Sequence, residues 1–243
     1  MSLIIWDIES YIYKACSAST VFQQCKTDPY IYGEYYDLRK GIDFLEETAQ
    51  RLRDTLLIND ITYVVGDKEN WRKKLNPEYK SNRKTKPPMY DVIKQWLLKN
   101  KEVVSLPNLE ADDTARIIYE DYQNYPCRKV IVSIDKDFYS VPCEFYRDLH
   151  NNKDIEVISE EDAQKHLIRQ IIMGDKTDGY NGIPGCGDKF CDEFITDKTT
   201  LGDVLELYKE KGLTPQDYLI NKAMATIVSI KEYNFNTGKV VLK

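Results

Sequence analysis

Apolar residues along this chain follow two rhythms that alternate from end to end. Consecutive apolar runs, LIIWDI from Leu3 to Ile8, ITYVV from Ile61 to Val65, VVSL from Val103 to Leu106 and KVIVSID from Lys129 to Asp135, have the length and branched character of buried strands. Between them, apolar positions recur every three or four residues. Ile42, Leu45, Ala49, Leu52 and Leu56 form such a stripe between Asp37 and Ile58, which predicts an amphipathic crossover helix. ESYIYKACSAS, Met89 to Leu98, EADDTARIIYEDYQ and Glu160 to Met173 read as further helices. CEFYRDL and DIEVIS are expected as short peripheral strands, and residues 21–36, rich in aromatics and turn formers, as a surface hairpin with packed rings. Leu201 to Gly212 and Pro215 to Lys231 follow as two helices, with GKVVLK as a final strand.

Strands alternating with helices predict an α/β fold, a mostly parallel sheet flanked by helices with right-handed crossovers. The 243 residues suit one catalytic core, residues 1–170, with a helical region, residues 171–243, packed on it. Ligands of such sheets bind beyond the carboxyl ends of the strands. Asp7, Asp67, Asp135 and Asp137 all lie there, the last two at a spacing of two that turns both to one side of an extended strand. Glu110, Asp112 and Asp113 open the helix after the third strand; taken alone they are ordinary first-turn acids, favoured by the helix dipole. Asp175 and Asp178, three apart, share a helix face if the preceding helix persists that far. Nine acids from five stretches could meet at one rim.

Such a cluster repels itself without cations, and an all-oxygen donor set suits Mg²⁺ or Mn²⁺. Zinc is poorly supported, because the six cysteines contain no C-x-x-C pair and there are only two histidines. Two hard ions roughly 4 Å apart support in-line hydrolysis of a phosphodiester. The net charge of −6 argues at first sight against a polyanionic partner. Setting the nine acids aside leaves 31 acidic against 34 basic residues, and the segment from Arg72 to Lys86 holds seven bases against the single acid Glu78. Trp71 and Tyr79 interleave it with rings on which a nucleic-acid strand could stack. Gly185-x-Gly187-x-Lys189 reads as a glycine hairpin opening a helix, where free N–H groups could hold a phosphate. With no membrane-length apolar run and no basic-then-apolar leader, a cytoplasmic protein is expected.

In chain order, Asp7, Asp67, PEYKSNR, LEADD, SIDKDF, GDKTD and GIPGCGDK resemble the motif series of the 5′-nuclease superfamily of flap endonucleases and 5′→3′ exonucleases. NWRKKLNPEYKSNRK, TDGYNGIPGCGD and KEYNFNTGKVVL are most similar to the 5′→3′ exonucleases of T7-like short-tailed phages, which act on duplex DNA and RNA–DNA hybrids. The fold this implies is a PIN-like sheet with a basic arch-like segment, residues 68–99, and a C-terminal helix-hairpin-helix-type DNA-binding region. Carried over by position, Asp7, Asp67, Glu110, Asp112, Asp113 and Asp135 correspond to acids around one Mg²⁺ or Mn²⁺, some through water, and Asp137, Asp175 and Asp178 to those around a second. Lys80 and Arg83 resemble the catalytic basic pair at the scissile phosphate, and Tyr79 the ring for a terminal base. Arg72 and Lys73 add to DNA binding, and Gly185, Gly187 and Lys189 resemble the duplex clamp that often holds K⁺. The implied protein is an Mg²⁺-dependent 5′→3′ exodeoxyribonuclease, monomeric, without membrane partners, working in the cytoplasm of a phage-infected bacterium.

Two departures stand out. The family's GDxxDN is GDKTDGYN here, with Gly179 and Tyr180 inserted, and the segment between Arg83 and Met89 is short for a threading arch. An open, exonuclease-like entrance is expected ahead of a flap endonuclease. A PIN-like ribonuclease would share the acids without needing the Gly185 hairpin, and an inert DNA-binding module would leave the acids without a task.

Overall fold

Strand β1 (Ser2–Asp7) is the middle of the molecule. In the computed structural model, which describes residues 2–28, 30, 32–82, 85–149 and 154–242, Ile4, Ile5 and Trp6 have no solvent exposure. Burial of each such side chain contributes roughly 1.5–3 kcal/mol. The chain continues through α1 (Glu9–Ser19), the antiparallel hairpin β2 (Thr20–Gln24) and β3 (Tyr32–Tyr36), and α2 (Leu38–Leu56). Then come β4 (Asp60–Val64), α3 (Trp71–Leu75), α4 (Tyr90–Asn100), β5 (Val103–Val104), α5 (Ala111–Glu120) and β6 (Arg128–Ser133). A 3₁₀ turn at Lys136–Ser140 leads to β7 (Glu144–Arg147), β8 (Glu156–Val157) and α6 (Glu160–Met173).

The sheet has the order β5-β4-β1-β6-β7-β8, parallel from β5 to β7, with β8 antiparallel at the edge. Alternate residues of β1 enter opposite layers, as the two-residue period of a strand requires. Ile4 and Trp6 pack with Tyr11, Ile12, Leu45, Leu52, Ile93 and Leu97 of α1, α2 and α4. Leu3 and Ile5 pack with Ala115, Ile118, Phe138 and Ala163 on the other side. Helix α2 forms where its stripe predicts, with Asp37 accepting from the Arg39 amide at its start.

Past α6 the chain makes a tight hairpin, β9 (Gly174–Asp175) with β10 (Tyr180–Asn181), then α7 (Asp188–Phe194), α8 (Leu201–Glu210) and α9 (Pro215–Ala225). A short hairpin, β11 (Tyr233–Asn234) with β12 (Lys239–Val240), closes the chain. These elements share one core with the second half of α6: Ile168, Ile171 and Ile172 pack with Tyr180, Val204, Tyr208 and Met224. Among the described residues no helix is long and apolar enough to cross a membrane.

Several expectations need correction. The 21–36 hairpin forms, but its rings are open: Phe22 is 69% and Tyr30 91% exposed. The last long helix stops at Ala225 instead of Lys231, where the backbone turns inward: Thr226 O accepts from Arg72, Ile227 O from Arg116, and the Val228 amide donates to Asp113. The final strand expected at GKVVLK forms, but among its described residues only over Lys239–Val240, antiparallel to β11. Asp137 sits on the 3₁₀ turn and not on an extended strand, its amide donating to Asp135 at 3.0 Å. Asp175 and Asp178 do not share a helix, because Gly174 ends α6 at φ +68°.

Candidate active site

The carboxyl ends of β1 and β6 are joined by a hydrogen bond. Ser133 Oγ, at the end of β6, donates to Asp7 Oδ2 at 2.9 Å and accepts from the Asp135 amide at 3.1 Å. Burial, followed by the nearby charges of Glu9 and Asp135, pushes the Asp7 carboxyl up to about 7. Asp137 is pushed up to about 7 as well, by burial first and then by Asp135, Asp178 and Asp175. Gln170 of α6 holds it from behind, Nε2 donating to Asp137 Oδ1 at 2.7 Å. Asp175 ends β9 and Asp178 lies within the loop of the β9–β10 hairpin, where Asp175 Oδ1 accepts from the amides of Thr177 and Asp178 at 2.7 and 3.2 Å.

Glu110 continues the row at the start of α5. It receives three donors: Lys80 Nζ at 2.6 Å, Arg72 Nη1 at 2.9 Å and the Tyr79 hydroxyl at 2.9 Å. Burial works to raise its pKa, but Lys80 and then Arg72 outweigh it and hold the carboxyl at about 2. Lys80 also reaches Asp178 Oδ2 at 3.5 Å, so one ammonium lies between the first turn of α5 and the acid hairpin. Asp112, beside them, is driven well above the ordinary carboxyl range by burial, then by Asp113 and Glu110.

Two of the nine acids face elsewhere. Asp113 is wholly buried beneath the row, gripped by both Arg72 Nη atoms at 2.7 and 2.8 Å, by Trp71 Nε1 at 3.2 Å and by the Val228 amide at 2.8 Å. Asp67, exposed past the end of β4, turns to the amides of Lys68 and Asn108 at 2.7 and 2.8 Å. The other seven form a continuous electrostatic row: Asp7, Asp135, Asp137, Asp175, Asp178, Glu110 and Asp112. Among the described residues no three Asp, Glu, His or Cys side chains stand close enough to hold a metal ion. Lys80 lies between two of the carboxylates, Glu110 and Asp178. The donor set is nevertheless that of a hard dication: carboxylate oxygens only, with the proton affinities of Asp7, Asp112 and Asp137 raised by burial and by neighbouring carboxylates.

The basic segment is less open than its composition implies. Arg72, expected on DNA, is 1% exposed and neutralised by Asp113 and Glu110. Tyr79, expected to stack a terminal base, is 2% exposed, with its ring in the C-terminal core and its hydroxyl between Glu110 and Asp178. Trp71 is buried too, so neither ring offers a stacking face. Lys73 is exposed as expected, and Arg83 lies outside the described residues. At the glycine hairpin expected to clamp a duplex, Gly185 takes φ +81° and Gly187 caps α7, while Lys189 is exposed. A Cβ at either glycine would meet open space, so the backbone there faces solvent. Arg169 of α6 fastens α7 through Asp188 and Asp192.

Ser133 and Gln170 escaped the sequence reading. A lone hydroxyl within the apolar VIVSI run could have flagged Ser133, whereas nothing local distinguishes Gln170.

Comparison with known proteins follows the same lines. A family model described as the 5′-3′ exonuclease, N-terminal resolvase-like domain, matches residues 2–167. The chain is 33% identical to an exodeoxyribonuclease of Enterobacteria phage T3, over 99% of this chain and 92% of that protein. It is 34% identical to an exonuclease of Escherichia phage T7, over 75% and 73% of the two. The T5 5′-exonuclease, solved with divalent zinc ions bound, superposes with a TM-score of 0.64 over 93% of this chain and 89% of that one. At 15% identity that likeness is one of fold.

Proposed function

Because this chain belongs to the 5′-3′ exonuclease family, we propose that it removes nucleotides from the 5′ ends of duplex DNA and RNA–DNA hybrids. It is a metal-dependent nuclease acting on DNA, and the finer assignment rests chiefly on one observation. Within a row of seven carboxylates from separate elements Lys80 bridges two, Glu110 and Asp178, a cation already stationed among groups that would otherwise repel a phosphate.

Asp7, Asp135, Asp137, Asp175, Asp178, Glu110 and Asp112 would hold two Mg²⁺ or Mn²⁺ ions, with Asp67 joining through water and Asp113 supporting from below. Once bound, such ions supply an activated water and neutralise charge at the scissile phosphate. The protein's own part is to position and to neutralise. Ser133 and Gln170 orient Asp7 and Asp137. Arg72 and Tyr79 fix Glu110. Lys80, with Arg83 as its carried-over partner, stabilises the charge that builds on the phosphate in the transition state. Residues 1–170 act as the catalytic core. Residues 171–243 act as the duplex clamp, with Gly185, Gly187 and Lys189 on the phosphate backbone and a K⁺ ion at 185–189. The setting proposed with it is a monomer working in the cytoplasm of an infected bacterium, the relatives of phage T3 and T7 favouring the phage context.

The deciding experiment compares 5′-labelled and 3′-labelled duplexes with blunt, nicked and flapped ends, a nicked RNA-primed hybrid and single-stranded RNA, all with Mg²⁺. A ladder of short products from the 5′ ends of duplex and hybrid is expected. Release of intact flaps would make the protein a flap endonuclease, and cleavage of RNA alone a PIN-like ribonuclease. Asp135→Ala should abolish hydrolysis while duplex binding persists in Ca²⁺.

A further inference from the structure

The inserted pair Gly179–Tyr180 has a visible consequence. Tyr180 is buried in the C-terminal core and paired with Asp175 across the hairpin, and Asn181 O accepts from Asn221 Nδ2 of α9 at 2.6 Å, so the base of the hairpin is anchored. Its four-residue loop, residues 176–179, meets the turn formed by residues 78–82. Lys80 N donates to Asp178 O at 2.8 Å, Asn82 Nδ2 to Lys176 O at 3.3 Å and the Tyr79 hydroxyl to Asp178 Oδ2 at 3.3 Å. Gly179 lies at the closest approach. It has φ +81°, and a Cβ there would stand 2.7 Å from the Glu78 carbonyl oxygen, inside any tolerable contact. Backbone on the far side cannot move aside as a side-chain tip could, since Glu78 O also accepts from the Ser81 amide at 3.0 Å within its turn.

We propose that Gly179 is a positioning residue for the hydrolysis: it lets the acid hairpin dock against the 78–82 turn and so fixes Lys80 over Glu110 and Asp178 before any substrate arrives. The inference rests on the nuclease reading of this site. Tyr79 and Lys80 are far in sequence from Asp178, and beside their side-chain contacts to it they are joined by a backbone bond, Lys80 N to Asp178 O, made where a residue without a side chain lets the loops approach. Any substitution at 179 pushes the two loops apart and leaves Lys80 without the amide bond that fixes its turn.

Hydrogen–deuterium exchange of the Lys80 amide reads the docking without substrate, and steady-state cleavage of a 5′-labelled duplex in Mg²⁺ reads its consequence. In Gly179→Ala the Lys80 amide should exchange at least tenfold faster. kcat should fall by tenfold or more, with KM changing less than about threefold. Gly212→Ala is the control, because Gly212 has φ +78° and open space around it; it imposes the same backbone strain without the clash and should leave both readouts unchanged. Asn82→Ala, a surface change that removes one of the docking bonds, should move both readouts in the same direction by less, and serves if Gly179→Ala does not fold. Unchanged exchange in Gly179→Ala, or in Asn82→Ala where it stands in, would overturn the docking. Faster exchange with undiminished kcat would overturn the positioning role while leaving the nuclease reading intact. A wild-type protein inert toward every duplex would instead defeat that reading, and with it the purpose assigned to Gly179.

Discussion

Lys80 holds a left-handed backbone, φ 54°, which costs a non-glycine residue about 1–2 kcal/mol. The offsetting contacts are its amide bond to Asp178 and its ammonium between Glu110 and Asp178. Lys80→Met keeps the stem and removes only the charge. The rate at saturating duplex should then fall on the order of 10²-fold, with little change in KM. Titration calorimetry without DNA should show Mg²⁺ binding several-fold tighter, because the ammonium no longer competes for Glu110 and Asp178; weaker Mg²⁺ binding would contradict this. Asp7 and Asp137 make a second prediction, since burial and neighbouring carboxylates raise both to about 7. The native state therefore keeps protons that the unfolded chain has already released near pH 4, and stability falls as pH rises through 7. His166, held by burial at about 4, works in the opposite direction but only below its ordinary value of 6.5. Urea unfolding without divalent ions should thus show a loss of about 1–2 kcal/mol between pH 6.5 and 8. Asp7→Asn should shrink that loss.

Helices α3 and α5 and the turn after α9 are tied by one guanidinium. Arg72 grips Asp113 on α5, reaches Glu110, and donates to Thr226 O at 2.6 Å, all without exposure to solvent. Arg72→Met would leave Asp113 buried and uncompensated, and urea unfolding should register a loss of roughly 3–5 kcal/mol. The same residue shows where reading the sequence reached its limit. Periodicity places α2 and α6 within a residue or two, because the face a helix buries is written in its own local spacing. Strand ends deliver Asp7 and Asp135 to one rim for a similar reason. Arg72 belongs to a charge run, which locally signals solvent, and its partner Asp113 lies 41 residues away on another helix. Tyr79 misled in the same manner: amid bases it reads as a stacking ring, yet its hydroxyl is claimed by Asp178, 99 residues on. Composition reports what a segment carries, while pairing across the fold decides which of those groups remain free.

Taken together, the molecule sorts its charge by position. The acidic excess behind the net charge of −6 lies largely in the row of seven carboxylates, so attraction of a phosphate backbone would fall to local bases and not to the protein's overall field. Of the bases expected on DNA, Arg72 is already neutralised inside the protein, whereas Lys73 and Lys189 stand in solvent on different elements. Counterion release separates these cases, because each phosphate neutralised adds about one to the slope of log affinity against log salt. Lys189→Ala, assayed in Ca²⁺ so that no cleavage occurs, should weaken duplex binding and lower that slope by about 1. Arg72→Met, kept folded by working at low temperature, should leave the slope unchanged even if affinity shifts, since a charge already paired with Asp113 releases no counterion on binding. Equal slopes for wild type and Lys189→Ala would remove the helix α7 region from the duplex path and confine binding to the rim of the sheet.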